Sequence, residues 1–500
     1  MLNAMAPSSG VQDQDLYTRA KRAEEEGDLD HARVLYQAAL THRPNDPSLL
    51  QDFAALLWMT YDFTAAGRLH ERLASLPMED PTPLLWAARA EFSIGHFDRA
   101  ARLLDVALAS HPDNADLLGM LASVHERAHH GQEAREMALR ALAIDPTHAE
   151  ATRLIAHLDV DAGDLHAART RLVNQLQQHP GDEDWRLRYE LAAIFDRMGE
   201  PQAVMRELNK AKASLYPQAL PALDQSRRIR ERQWALTCRI TDEDWKRWQT
   251  GLPEDASHHP VALMGGFPRS GATLVEHILT KHPRCLGTDE SGILFSQFTR
   301  PLVHQAASMD DAFETLNNLS PTLLVSDRER YIRCTEALLG ESLEGRVLLD
   351  REPFHTADLP LPLRLFPESR VLMPLRDPRD AVISYFLTLV PMAPDSAASV
   401  DLGETCRFYA DTMRHWLHLE AILPHPTLRV RYEDLIVQPE QTIREVTSFL
   451  GLPWSPDLIA GESFHADSIG RWKLYEPWLA RHMHHLDPFI EAFGYAGGVC

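Results

Sequence analysis

Two patterns of apolar and polar positions divide the chain. From about residue 13 to 182, small residues return at a fixed step of 34. Ala32, Ala66, Ala100, Ala134 and Ala168 mark one register, and Ala20, Ala54, Ala88, Ala122 and Ala156 a second. Glycine keeps the step at Gly27, Gly95 and Gly163, and proline at Pro44, Pro112, Pro146 and Pro180, with Pro77 one place out of register. A period of this length predicts stacked antiparallel helix pairs. Facing alanines let the two helices approach closely, glycine serves the turn between them, and proline ends the second helix. Five units fit, and a looser sixth covers about 183–216 with Leu191-Ala192-Ala193 and Ala203.

Beyond 260 the pattern changes. Short apolar runs, Val261–Met264, Arg346–Leu349, Arg370–Leu375 and Leu428–Arg431, alternate with amphipathic stretches over 272–281, 378–390, 403–421 and 439–450. This alternation predicts a parallel sheet with helices on both faces, which binds ligands at the carboxyl ends of its strands. Pro374, inside the third run, removes one ladder donor and predicts that the strand's pairing ends there. Between the two patterns, 217–257 reads as a helical connector. Pro217 and Pro221 are expected to break the repeat, Arg227–Trp234 to form a basic solvated helix face, and Leu252–Pro260 to be a linker. The expected organisation is a flexible 1–12, a helical solenoid over 13–216, the connector, and an α/β domain over 258–500.

Composition narrows the partners. The 500 residues are 44% hydrophobic and 24% charged, with a formal net charge of −22. That charge argues against nucleic acid or an anionic membrane as the main partner. Cys238, Cys285, Cys334, Cys406 and Cys500 are scattered, which fits a reducing compartment and neither a disulfide framework nor a zinc site. There is no signal-peptide pattern at the N-terminus and no apolar run approaching the ~20 residues of a membrane span. The expectation is a cytoplasmic protein. His125-Glu126-Arg127-Ala128-His129 matches the zinc-protease string H-E-x-x-H, which needs both histidines on one helix face. His129, however, occupies the turn register of Gly95 and Gly163, so no metal is expected.

The chemistry gathers at two loops. Gly266-Phe267-Pro268-Arg269-Ser270-Gly271-Ala272-Thr273 follows the first strand and opens a helix. A strand, a glycine turn and a helix N-terminus aim backbone N–H groups and a positive dipole at an anion. The nucleoside-triphosphate loop ends G-K-[ST]; here Ala272 stands at the lysine position and Arg269 lies inside the loop. Phosphate binding is therefore expected, but not that of ATP. The second loop, Arg376-Asp377-Pro378-Arg379-Asp380, follows the third strand. Arg376 and Ser384 can grip one phosphate, while Asp377 and Pro378 suit the cap and first position of a helix.

The repeat region resembles tetratricopeptide repeats, and about 260–480 resembles the PAPS-dependent sulfotransferases (PAPS, 3′-phosphoadenosine-5′-phosphosulfate), in the pattern of the branch in which tetratricopeptide repeats precede a sulfotransferase domain, related to the tyrosylprotein sulfotransferases. The first loop is similar to the family's G-x-P-R-S-G-T-T, so that Arg269, Ser270, Gly271, Ala272 and Thr273 would bind the 5′-phosphosulfate. Arg376 and Ser384 would hold the 3′-phosphate. The family's general base is a glutamate after a His-Pro. Here His282-Pro283 leads to Glu290, with Asp289 beside it. The family's D-K-x-P-x-N becomes Asp350-Arg351-Glu352-Pro353-Phe354-His355. Arg351 would then stabilise charge on the transferring group together with Arg269, and His355 is the alternative acid. Arg431-Tyr432-Glu433-Asp434-Leu435 and Ser468-Ile469-Gly470-Arg471-Trp472 resemble two further family segments, placing Tyr432, Ser468 and Arg471 near the nucleotide and Trp472 in the core.

The resemblance implies sulfuryl transfer from PAPS to a hydroxyl or amine acceptor, such as a protein tyrosine or a saccharide. The fold it implies is an all-α tetratricopeptide-repeat solenoid followed by an α/β P-loop-like sulfotransferase domain. A protein or peptide in the repeat groove, or a homodimer, is the partner such an array suggests. Arg351 and Ala272 leave open a second reading, a catalytically impaired repeat scaffold that binds a protein partner and a nucleotide.

Overall fold

The computed structural model describes residues 9–25, 28–60, 62–181, 184–249, 260–304, 306–352, 356–390, 393–394 and 396–496. Two compact units are present, 1–211 and 212–500.

The first unit is a run of helix pairs. They are α1 (Ser9–Glu25) with α2 (Leu29–His42), α3 (Pro47–Met59) with α4 (Phe63–Ala74), and α5 (Thr82–Ser93) with α6 (Phe97–Ser110). Next come α7 (Ala115–Arg127) with α8 (Gly131–Ile144), α9 (Ala149–Asp161) with α10 (Leu165–Gln178), and α11 (Asp184–Arg197) before the long α12 (Pro201–Thr237). All ten alanines of the two registers are at most 1% exposed, so each sits where a larger side chain would force the helices apart. Gly95 and Gly163 take left-handed φ values of 79° and 84° in the turns. His129 takes φ 62° at the same register, beyond the end of α7, so His125 and His129 do not share a helix. Pro44, Pro112, Pro146 and Pro180 each stand two residues past a helix end.

The prolines of α12 do not behave as expected. Pro217 and Pro221 lie inside one continuous helix of 37 residues. Each removes one N–H from the ladder, and the tertiary contacts of the helix outweigh that loss. Lys212 donates to Ser399 O at 2.5 Å. The basic run is a solvated face only in part: Arg228 and Glu231 are exposed, but Arg227 pairs with Glu404 at 2.6 Å and the buried Arg230 with Asp411 at 3.1 Å. Helix α13 (Asp242–Gln249) follows and buries Trp245 and Trp248. The connector expected over 217–257 is thus, as far as 249, part of the second unit; the linker at 252–260 lies almost wholly outside the described residues.

The second unit holds a five-stranded parallel sheet in the order β2-β3-β1-β4-β5, formed by β1 (Val261–Met264), β2 (Cys285–Gly287), β3 (Val347–Arg351), β4 (Arg370–Leu375) and β5 (Thr427–Arg431). Its helices include α14 (Ala272–Thr280), α15 (Met309–Asn318), α16 (Pro321–Leu339), α17 (Pro360–Leu365) and α18 (Pro378–Leu387). They continue with α19 (Leu402–Ile422), α20 (Tyr432–Val437) and α21 (Pro439–Leu450). Val275, Ile278 and Leu279 of α14 and Ile443 and Val446 of α21 pack on β1, β4 and β5. The chain leaves β1 toward one edge and returns on the other side at β4. The loops after these two strands therefore part and open a crevice at the carboxyl ends.

Pairing across Pro374 is lost on one side only. Val371 N–H donates to Pro426 O while Gly265 N–H donates to Leu372 O, so even-numbered residues of β4 face β1. The β1 ladder stops at Leu372, but β5 stays paired through Leu375. The expected end of pairing thus holds toward β1 and fails toward β5, because the missing donor of Pro374 faces the place that β1 has left. Among the described residues, no helix is long and apolar enough to cross a membrane.

Candidate active site

The first loop is shaped by three backbone positions. Gly266 (φ 114°) has no room for a side chain, since a Cβ there would lie 3.0 Å from Pro374 O. Its N–H donates to Thr356 Oγ at 2.9 Å, and that hydroxyl donates back to Gly266 O at 2.9 Å. Arg269 is left-handed at φ 72°, and Gly271 at φ 97° lies against Tyr432, where a Cβ would come within 2.7 Å of the ring. Helix α14 starts at once, so its unpaired N–H groups and dipole point out of the loop.

The second loop crosses behind the first. Arg376, only 8% exposed, donates to Arg269 O at 3.2 Å and to Ser468 O at 2.7 Å, with its guanidinium 4.5 Å from the centre of the Tyr432 ring. Its Nε is buried without a hydrogen-bond partner. Arg269 reaches across to Ser384, its Nε donating to the hydroxyl at 3.1 Å. Desolvation in the cavity, and then the like charge of Arg376, lower the Arg269 pKa. Asp377 caps α18 by accepting from Arg379 N–H at 3.0 Å, with Pro378 at the first position. Glu433 fixes that turn from below, accepting from Asp377 N–H at 2.9 Å and from the Tyr495 hydroxyl at 2.8 Å. Asp380 pins the next segment, accepting from Gly470 N–H at 2.6 Å and Trp472 N–H at 2.7 Å. Burial raises the Asp380 pKa to about 6.

Carboxylates form the third element. Asp289 and Glu290 are consecutive left-handed residues, at φ 46° and 59°. This costly backbone is held by Arg351, which ion-pairs with Asp289 at 2.6 Å and also with Glu290 and Glu276. Glu276 accepts from Asp289 N–H at 3.0 Å, and Thr288 Oγ accepts from Arg351 N–H at 3.2 Å. Burial raises the Glu276 pKa, against the pull of Arg351.

These three elements meet at a cavity of about 610 Å³. Arg269, Gly271, Ala272, Thr273, Arg376 and Tyr432 line one part of it, and Glu290 another. Phe295, Tyr385, Val390 and Phe408 give it apolar walls, and Asp358 and Glu352 add carboxylates.

Comparison with known proteins decides the family. The model described as the sulfotransferase family matches residues 260–456. A Caenorhabditis briggsae relative provisionally named a protein-tyrosine sulfotransferase is 30% identical over 214 residues, covering 42% of this chain and 70% of its own. The chain belongs to the sulfotransferase family. Protein-tyrosine sulfotransferase 2 of Gallus gallus is 27% identical over 222 residues, 42% of this chain, and the chain spans only 55% of that relative's length. The tetratricopeptide-repeat model matches residues 94–158. A solved structure of MamA shares 19% identity with a TM-score of 0.29, covering 34% of this chain and 92% of its own.

Within the sulfotransferase domain, the residues singled out by sequence are not all brought together. Ser270 is 3% exposed and does not line the cavity, and Ser384 meets the site through Arg269. Ser468 supplies its backbone oxygen to Arg376, and its hydroxyl is 2.8 Å from the Tyr432 hydroxyl. Arg471 turns to Tyr475 and does not line the cavity. Trp472 is half-buried under the Arg379 guanidinium, 4.1 Å from its ring, rather than in the core. Arg351, expected to face the transferring group, is 2% exposed and does not line the cavity; its charge is spent on three carboxylates. His355 lies outside the described residues. Thr356, Glu276, Asp380 and Glu433 position the loops; Asp380 and Glu433 stand inside motifs the sequence offers, but nothing local marks their role, and nothing local marks Thr356 or Glu276 at all. Each acts on a partner 13 to 92 residues away.

Proposed function

We propose that the sulfotransferase domain moves a sulfuryl group from PAPS to an acceptor hydroxyl, with Glu290 as general base. The observation that carries this reading is the convergence of the Arg269 and Arg376 guanidiniums and the α14 N-terminus on a cavity that also holds the Glu290 carboxylate. The residues fit a doubly anionic nucleotide: Arg376 keeps a buried Nε without a partner, and the Ser384 hydroxyl stands beside Arg269. The donor would supply the sulfuryl group on a phosphate leaving group. The chain's own residues do the rest. Arg269 and the first N–H groups of α14 balance negative charge at the loop, and Arg376 with Ser384 orients the far phosphate.

Glu290 receives the acceptor proton on its carboxylate. Asp289, its neighbour, does not line the cavity, which favours Glu290 of the two. Arg351 acts on the reaction through Glu290, by fixing where that carboxylate points. Sulfuryl transfer of this loose, in-line kind asks mainly for positioning and charge stabilisation. The apolar walls favour a phenolic acceptor, in keeping with the protein-tyrosine names of the relatives. The repeats are suited to holding a protein partner.

Mass spectrometry of reactions containing PAPS and a panel of phenols, tyrosyl peptides and saccharides tests the reading. Gain of one sulfuryl group by a hydroxyl acceptor is expected. Tighter binding of ATP with magnesium than of adenosine 3′,5′-bisphosphate would refute it.

A further inference from the structure

One wall of the cavity belongs to neither anion-binding loop. Ser226, Ile229, Arg230 and Gln233 of α12 line it. Their spacing puts them on a single helix face. That face is built rather than solvated. Arg230, 9% exposed, donates to Ser226 Oγ at 2.7 Å and to Asp411 at 3.1 Å, and its guanidinium lies 5.5 Å from the Phe408 ring centre. Gln233, 8% exposed, donates its amide to Asp358 at 3.0 Å, and Asp358 is itself a lining residue. Ile229 is the half-buried apolar member of the face. Phe408 packs tilted and Tyr385 edge-on against Phe267, at 5.2 and 5.4 Å between ring centres, so the apolar floor beside this wall is fixed to the donor loop.

Every group suited to the donor's phosphates comes from the loops and helix starts that follow the strands: 269–273 after β1, Arg376 and Ser384 after β4 and Tyr432 after β5. Helix α12 adds none. The one cationic residue it brings to the cavity lining, Arg230, is already paired with a carboxylate. What α12 offers the cavity is a shape at Ile229 and an oriented amide at Gln233. Those are the means of recognising an uncharged group, and the acceptor is the uncharged reactant.

We infer that the Ser226–Ile229–Arg230–Gln233 face of α12 is the acceptor-selecting wall of this sulfotransferase, with Ile229 sizing the ring that carries the attacking hydroxyl and Gln233, held by Asp358, orienting it. The inference rests on the sulfuryl-transfer reading and assigns specificity to a helix outside both nucleotide loops.

The test uses the full chain and three probes: adenosine 3′,5′-bisphosphate by calorimetry, and a one-ring nitrophenol and a two-ring naphthol as acceptors with PAPS. Ile229→Trp should raise the naphthol KM at least about tenfold while the nitrophenol KM moves less than about threefold, because added volume in an apolar site is felt by the larger ligand. Ile229→Ala should shift the preference the other way. Gln233→Ala should raise KM for both phenols, with bisphosphate affinity held within about twofold in all three variants; that affinity also reports that each variant is folded. Equal effects on the two phenols in both Ile229 variants, or a parallel loss of bisphosphate affinity, would overturn the assignment. Wild-type protein that binds the bisphosphate but turns over neither phenol would overturn it as well, leaving the donor reading intact. Failure to bind the bisphosphate would instead remove the donor reading on which the inference stands.

Discussion

Arg269 Nε donates to Ser384 Oγ at 3.1 Å, joining the loop after β1 to the helix after β4 across 115 residues of sequence. The two side chains were expected at opposite ends of one nucleotide, yet here they touch. The contact ties together two loops that the sheet topology sends apart, and Arg376 reinforces it by donating to Arg269 O.

Arg376→Ala should weaken adenosine 3′,5′-bisphosphate by about 2–3 kcal/mol, the loss of a charge-assisted contact. Binding of 5′-AMP, which lacks the 3′-phosphate, should hardly change. Calorimetry with the two nucleotides separates a phosphate contact from general damage to the loop.

Glu290→Gln should lower turnover at least about a hundredfold, as expected for loss of a positioned base, with bisphosphate affinity retained. Asp289→Asn should cost much less, because Asp289 does not line the cavity. Loss of turnover in Asp289→Asn alone would move the base by one residue.

Arg351→Lys keeps the charge but cannot reach Glu276, Asp289 and Glu290 together. The expected effect is a fall in kcat of roughly ten- to a hundredfold through misplacement of Glu290, at nearly constant KM and bisphosphate affinity. Arg351→Met leaves Glu276 buried beside no cation and should destabilise the domain by about 3 kcal/mol or more in urea unfolding.

Asp350 is fully buried beneath the site, with its pKa raised to about 6 by that burial. A carboxyl raised in this way binds its proton more tightly folded than unfolded. The stability it contributes is therefore complete below the unfolded value near 4 and lost as pH rises through about 6. Relative to the wild type, Asp350→Asn should gain about 1 kcal/mol in stability between pH 5 and pH 8. Denaturant midpoints at the two pH values measure this difference, whatever the asparagine costs in itself.

His129→Gly should stabilise the repeats by up to about 1 kcal/mol, because the turn at φ 62° strains any residue with a Cβ. A higher thermal midpoint is the expected result.

Much of this was legible because it is written locally or periodically. The alanine registers reveal the helix pairs directly, since a small residue returning every 34 positions at fully buried sites marks where two helices approach closely. Strands β1 and β4 announce themselves as apolar runs, while β2 has three residues and no pattern to read. The glycine loop and Arg376 were visible because each directly follows an apolar strand run, and the structure brings both to the cavity. Arg351 was misplaced for the converse reason: its type permits a contact with the transferring group, but its direction is set by Glu276 and the 288–290 turn, which only the fold brings to it. The prolines of α12 misled in the same way, because a local propensity was outweighed by contacts that residues 212–237 make with distant parts of their own unit.

The strict phase of the alanine registers also governs how the chain can change in length. Removing 34 residues within the array takes out one whole helix pair and leaves the later pairs equivalent, whereas removing 33 or 35 turns the helix at the junction by about 100° past the cut and puts bulk where two helices must touch. The first unit is therefore lengthened or shortened with least disturbance in whole repeats. The cavity, with all its lining residues beyond 225, need not change with it.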